Sequence, residues 1–122
     1  MSPVVAVTGG TSGIGAATIE RLRSVGAEIL SLDVIEGTRE DVTSIHCDLA
    51  DEASIDEAIS HLPDQLDAVV SVAGVAPGST PPNVIMAVNF LGMRHFVSGV
   101  LPRVRDGGSV VIVASSAGRN WR

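Results

Sequence analysis

The stretch Thr8-Gly9-Gly10-Thr11-Ser12-Gly13-Ile14-Gly15 constrains this chain more than any other. It follows the short apolar run Val4-Val5-Ala6-Val7 and opens a segment of helical spacing. A β-branched run without alternation is what a strand covered on both faces requires. Glycines between such a strand and a helix do two jobs. They turn the chain tightly, and they leave no side chain between the amides at the helix start and an incoming anion. Those unpaired N–H groups, together with the positive end of the helix dipole, form a phosphate site.

Dinucleotide-binding loops use this physics, although the spacing here is Gly-x3-Gly-x-Gly and not the common Gly-x-Gly-x-x-Gly. The rest of the composition narrows the class. With 122 residues, 45% of them hydrophobic, the chain suits one α/β domain and is no disordered segment. No uninterrupted apolar run reaches the roughly 18 residues of a membrane span, so no membrane partner is expected. Residues 28–67 hold twelve of the fourteen acids, the net charge is −6, and no basic stripe forms, which argues against nucleic acid. Met1-Ser2-Pro3 leads straight into the first strand without a basic leader, and the single cysteine, Cys47, has neither a disulfide partner nor metal-ligand spacing around it. The expectation is a cytoplasmic protein with no metal site, in which Cys47 packs as a small hydrophobe. Tyrosine and lysine are absent, and all eight basic residues are arginine.

Taken in order, the periodicity predicts a helix from Ile14 to Val25, stopped by Gly26, and a second strand over Glu28–Val34. Asp33, at the end of that strand, is placed to accept hydrogen bonds from an adenosine ribose and to repel the extra phosphate of NADP; the cofactor expected is therefore NAD. Only about ten residues then precede a third strand, Ser44–Leu49, so at most a turn or two of helix fits between them. Asp48 closes that strand and is a candidate contact to adenine. An amphipathic helix over Asp51–Leu62, stopped by Pro63, leads to a fourth strand, Leu66–Gly74, whose Ala73-Gly74 end admits close approach of a ligand. Val75–Pro82 is a loop. Asn83–Leu101 is a long helix apolar on more than one face, which predicts association with a second copy, and it carries Asn89 among its apolar residues. Gly108–Ala114 is a fifth strand running into Ser115. This alternation specifies a doubly wound parallel sheet, Rossmann-like, in the order 3-2-1-4-5 and ending after the fifth strand.

These residues resemble the short-chain dehydrogenase/reductases along essentially the whole chain. Thr8-Gly9-x3-Gly13-Ile14-Gly15 resembles that family's own glycine motif, Asp33 its NAD-type acid, and Asp48-Leu49 its adenine-binding pair. Ser71-Val72-Ala73-Gly74 resembles its Asn-Asn-Ala-Gly in the last two residues, and Val88-Asn89-Phe90-Leu91-Gly92 the motif of its helix asparagine. Gly108 to Gly118 resembles the strand that delivers its catalytic serine, which falls at Ser115. The resemblance implies an NAD(H)-dependent oxidoreductase acting on a small-molecule alcohol or ketone. Ser115 then polarises the substrate carbonyl, Asn89 holds a relay water, and Thr8, Gly9, Thr11, Ser12, Gly13, Ile14, Gly15, Asp33, Asp48, Leu49, Ala73 and Gly74 hold the cofactor. Two shortened segments, Val34–Val42 and Val75–Val88, resemble the bacterial 3α-hydroxysteroid dehydrogenase/carbonyl reductase subgroup.

One departure is large. The family's general acid/base is a tyrosine, with a lysine four positions later lowering its pKa, and neither residue type occurs in the 122. The expectation is an amino-terminal portion of a longer dehydrogenase, residues 1–122 being its NAD-binding part, with a Tyr-x3-Lys beyond Arg122. The alternative is a non-catalytic nucleotide-binding or interaction protein that keeps the fold.

Overall fold

The structure, a computed structural model, describes residues 1–119. Five strands form one parallel sheet in the order β3-β2-β1-β4-β5: β1 is Val4–Thr8, β2 Glu28–Asp33, β3 Thr43–His46, β4 Leu66–Ser71 and β5 Val104–Ile112. Helix α1, Gly13–Ser24, connects β1 to β2, and α2, Glu52–Ser60, connects β3 to β4. Between β4 and β5 run α3 (Pro82–Met86), a π-helical turn (Ala87–Gly92) and α4 (Met93–Val100). The strand order is the one that alternation of strand and helix predicts.

Each central strand buries both faces, which is why its sequence is apolar without interruption. Val5, Val7, Ile29 and Val70 turn to one side and pack with Ile19 of α1. Ala6, Leu30, Leu32 and Val69 turn to the other, against Ile55 and Ile59 of α2 and Phe96 and Val100 of α4. Neighbours in sequence therefore serve opposite layers, as the two-residue strand period demands. The α2–α4 layer is the larger. No helix forms between β2 and β3, so α1 alone covers the other face there.

Two strand bounds are corrected. β3 ends at His46, not Leu49, because Asp48 Oδ1 accepts from Ala50 N and the Asp48 amide donates to Ser54 Oγ, turn chemistry that bends the chain away. β5 starts earlier, at Val104: Gly107, at φ +79°, permits an irregularity in which Leu66 pairs with Val104 but Ala68 with Ser109. The helical run Pro82–Arg103 is 22 residues long and, by length and composition alone, apolar enough to cross a membrane, although Asn83, Asn89, Arg94 and His95 interrupt its apolar residues. Here it lies along the sheet, with Phe96 and Val100 fully buried. At the far edge, Val111, Ile112 and Val113 are each close to half exposed, so β5 is uncovered on both faces.

The amino ends of three strands are tied by one carboxylate. Asp67 accepts from Val4 N at 2.7 Å and from Arg105 Nε. These bonds, the Val4 amide first, hold its pKa below the usual carboxylate range. A lowered native pKa means a contribution present above the unfolded value and lost as pH falls through the native one. Wild-type thermal stability is thus expected to fall from about pH 4 downward, and Asp67→Asn to lower Tm at pH 7 while flattening that acid limb. Thermal melts of both proteins from pH 7 to pH 3 check this; an unchanged acid limb in the variant would remove Asp67 from the account.

Candidate functional site

The carboxyl ends of the strands meet at the point where the strand order reverses, between β1 and β4, and there the glycine loop leaves the sheet. Gly9 has φ +70° and donates its amide to Leu32 O at 2.8 Å; a Cβ on it would lie 2.8 Å from Ala73 Cα. A Cβ on Gly15 would meet the carbonyl oxygen of Gly9. The loop and the start of α1 are therefore in backbone contact, which only glycine allows. Gly13 differs: its φ is +54°, but nothing lies within 4 Å of its Cβ position, so space stays open at the helix mouth.

That mouth is electropositive. The first intrahelical bond runs from Ala16 N to Ser12 O, at 3.1 Å, leaving the amides of Gly13, Ile14 and Gly15 as the orphan donors of the helix start. Ser12, the residue that caps the helix, makes no side-chain cap, and no acid stands in the first turn. Among the described residues, neither the capping residue nor the first turn offsets the dipole where an anion would sit.

In front of the mouth lies a cleft of about 560 Å³. Its wall includes Gly9, Ser12, Gly13, Ile14 and Gly15 from the loop, Asp33 from the end of β2, Asp48 and Leu49 after β3, and Ala73 and Gly74 after β4. Ten of the residues singled out from sequence are thus brought to one surface. Ile14, although apolar, is well exposed and borders the cleft. Asp33 is held in place: Oδ2 accepts from Thr11 Oγ1 at 2.6 Å and Thr11 N at 3.2 Å, and Oδ1 from Ile35 N at 3.2 Å. A carboxylate has about four acceptor sites, so capacity remains for a ligand hydroxyl.

Four predicted residues stand off the wall. Thr8 is buried, its Oγ1 accepting from Val72 N and Ala73 N, both at 3.1 Å, so it fixes the end of β4 from behind. Thr11 faces a separate cavity of about 280 Å³ on the α1 side. Asn89, in the π-helical turn, pairs on both sides with Val75: Oδ1 accepts from Val75 N and Nδ2 donates to Val75 O, each at 2.8 Å. Ser115 follows β5 at the same end of the sheet, its carbonyl accepting from Gly118 N at 3.2 Å.

Sequence reasoning missed part of the lining. Leu32, Val34, Cys47, Val72, Val84 and Val88 supply apolar wall. Most sit at or just past strand ends, and that position is the signal that finds them. Burial, then the charges of Asp48 and Asp33, push the Cys47 thiol up to about 11, so it stays protonated and acts as apolar lining. A larger trough, of about 820 Å³, runs along β3 and is bordered by Asp48, Asp51 and Glu57; its carboxylates repel the anion that the α1 mouth attracts. The 560 Å³ cleft is the better site for a phosphate-bearing ligand. An exposed backbone cradle, a fixed carboxylate and apolar walls fit a nicotinamide dinucleotide.

Comparison with known proteins agrees with this reading. The family model described as short chain dehydrogenase matches residues 3–122. Coniferyl-alcohol dehydrogenase of Pseudomonas sp. (strain HR199 / DSM 7063) is 39% identical over 117 residues, which cover 96% of this chain and 46% of that protein. The 3-alpha-hydroxysteroid dehydrogenase from Pseudomonas sp. B-0831, complexed with NADH, superposes with a TM-score of 0.83 at 28% identity, covering 96% of this chain and 46% of the other. A blue fluorescent protein from a metagenomic library, in complex with NADPH, shares the fold with a TM-score of 0.79 at 23% identity, over 97% of this chain and 57% of its own. The chain spans about half the length of the relatives it matches.

Proposed function

The chain belongs to the short-chain dehydrogenase family, and on that premise we propose that residues 1–122 are the NAD-binding part of an oxidoreductase interconverting a secondary alcohol and a ketone. The observation that carries the reading is the row of orphan amides at Gly13, Ile14 and Gly15, opening onto a cleft that Asp33 borders. In this reading the amides and Ser12 hold the pyrophosphate. Asp33 accepts from the adenosine ribose hydroxyls and repels a 2′-phosphate, Asp48 and Leu49 border the adenine, and Ala73 and Gly74 let the cofactor lie close to β4. Thr8 supports the end of β4. The bound nicotinamide supplies or accepts the hydride. Ser115 donates a hydrogen bond to the substrate oxygen, and Asn89 holds the Val75 segment beside it.

An alkoxide forming at that oxygen needs a proton, and none of the 122 residues is a tyrosine or lysine. The proton donor is assigned to none of them. The names of the alcohol and hydroxysteroid dehydrogenases among the relatives support an alcohol–carbonyl couple, and the short, helix-free segment between β2 and β3 supports the hydroxysteroid subgroup. Association with a second copy is supported by the half-exposed Phe90 and Leu91.

Titration of the purified chain with NADH, followed by cofactor fluorescence, is expected to saturate, and added ketone to leave the NADH unoxidised. Asp33→Ala is expected to lower the preference for NADH over NADPH by about tenfold or more, the repulsion between carboxylate and phosphate being removed. Absence of saturation overturns the binding reading, and turnover overturns the statement about the proton donor.

A further inference from the structure

Thr11 borders no part of the cofactor cleft, yet its hydroxyl is committed to the carboxylate that does. The bond from Thr11 Oγ1 to Asp33 Oδ2, at 2.6 Å, has the length of a charge-assisted hydrogen bond, whereas the two amides on Asp33, from Thr11 and Ile35, stand at 3.2 Å. We propose that Thr11 is a positioning residue for cofactor choice: its hydroxyl locks Asp33 into one rotamer at the cleft rim and thereby sets the preference for NADH over NADPH. This rests on the reading of the cleft as an NAD site.

The terminal torsion of an aspartate is soft, and a partly exposed carboxylate at a strand end gains solvation by swinging outward. A swung-out Asp33 offers its oxygens poorly to ribose hydroxyls and repels a 2′-phosphate less. Thr11 opposes that motion from behind, from within the 280 Å³ cavity on the α1 side. Arg39, which borders the same cavity, is engaged by Glu20 at 2.9 Å and Asp41 at 3.3 Å. The donors on Asp33 are therefore neutral hydroxyl and amide groups, which hold the carboxylate without cancelling its charge. A guanidinium in that place would fix the side chain equally well and abolish the discrimination.

The test compares dissociation constants for NADH and for NADPH, by fluorescence titration, in wild type, Thr11→Val, Thr11→Ser and Asp33→Ala. Thr11→Val keeps the shape and removes the donor. Its NADH-to-NADPH preference is expected to fall about tenfold, while Thr11→Ser retains the wild-type ratio within about twofold. Should the valine variant fail to fold, Thr11→Ala is read in the same way. Equal weakening of both cofactors, or an unchanged ratio in a folded variant, overturns the role of Thr11. If Asp33→Ala shifts the ratio in that case, the NAD reading stands alone. If Asp33→Ala shifts nothing, or wild type binds neither cofactor, both readings fall.

Discussion

Gly15→Ala is expected to abolish measurable NADH binding and to lower the free energy of unfolding by about 3 kcal/mol, the upper part of the range for forced overpacking. The added Cβ meets the carbonyl oxygen of Gly9, and both partners are main chain, so no rotamer change relieves the contact. Gly9 has nowhere to retreat: its amide is bonded to Leu32 O at 2.8 Å, and Ala73 closes the other side. The helix is equally fixed, because Ile19 is buried among Val5, Val7, Ile29 and Val70. Relief comes only by lifting the first turn of α1 off the loop, which moves the three orphan amides out of register with a bound phosphate. Gly13→Ala is the control. Its Cβ enters open space, and it meets only the backbone cost of a positive φ, about 1–2 kcal/mol. Urea unfolding and NADH titration of both variants check the pair; a Gly15→Ala protein that binds like wild type would show that loop–helix contact does not shape the cradle.

The same contrast between main-chain and side-chain determinants decides what was legible beforehand. Strand order and the place of the cleft follow from patterns with a physical period: apolar runs at β1, β2 and β4, helical spacing between them, and a glycine loop at the first turn. Ten of the site residues that these patterns and the family resemblance name line one surface. Thr8 and Thr11 belong to the same motif, but whether a hydroxyl faces the cleft or bonds to the strand behind it depends on contacts with Val72, Ala73 and Asp33, all distant in sequence. Spacing does not carry that information. Nor does it carry the π-helical turn at Ala87–Gly92, since a helix with one wider turn keeps nearly the same apolar period. Such turns occur often at functional positions, and this one holds Asn89 against Val75. The early start of β5 has a related reason: Arg105, Asp106 and Gly107 carry no apolar period, and they fall within the strand only because Val104, on their far side, pairs with Leu66 across an irregularity.

Gly92, the last residue of that turn, carries the other large expected effect. A Cβ there would meet the carbonyl oxygen of Leu49 and lie 2.9 Å from that of Ala87, so again both obstacles are main chain. Leu49 is buried and closes the turn before α2, and the helix after Gly92 cannot slide, because Phe96 and Val100 are fully buried under the sheet. Gly92→Ala is therefore expected to cost about 3 kcal/mol. By contrast, Gly99→Ala on the same helix would approach only Ile59 Cδ1, at 2.7 Å, the end of a side chain that can turn aside, and is expected to cost about 1 kcal/mol or less. The two variants also separate in binding. Leu49 and Asp48 form part of the cleft wall, so the strain at Gly92 reaches the cofactor site while that at Gly99 ends in the α2–α4 layer. In variants compared well below their melting temperatures, NADH affinity should drop for Gly92→Ala and hold for Gly99→Ala; equal affinities would mean that the Asp48-Leu49 turn absorbs the displacement without moving the wall.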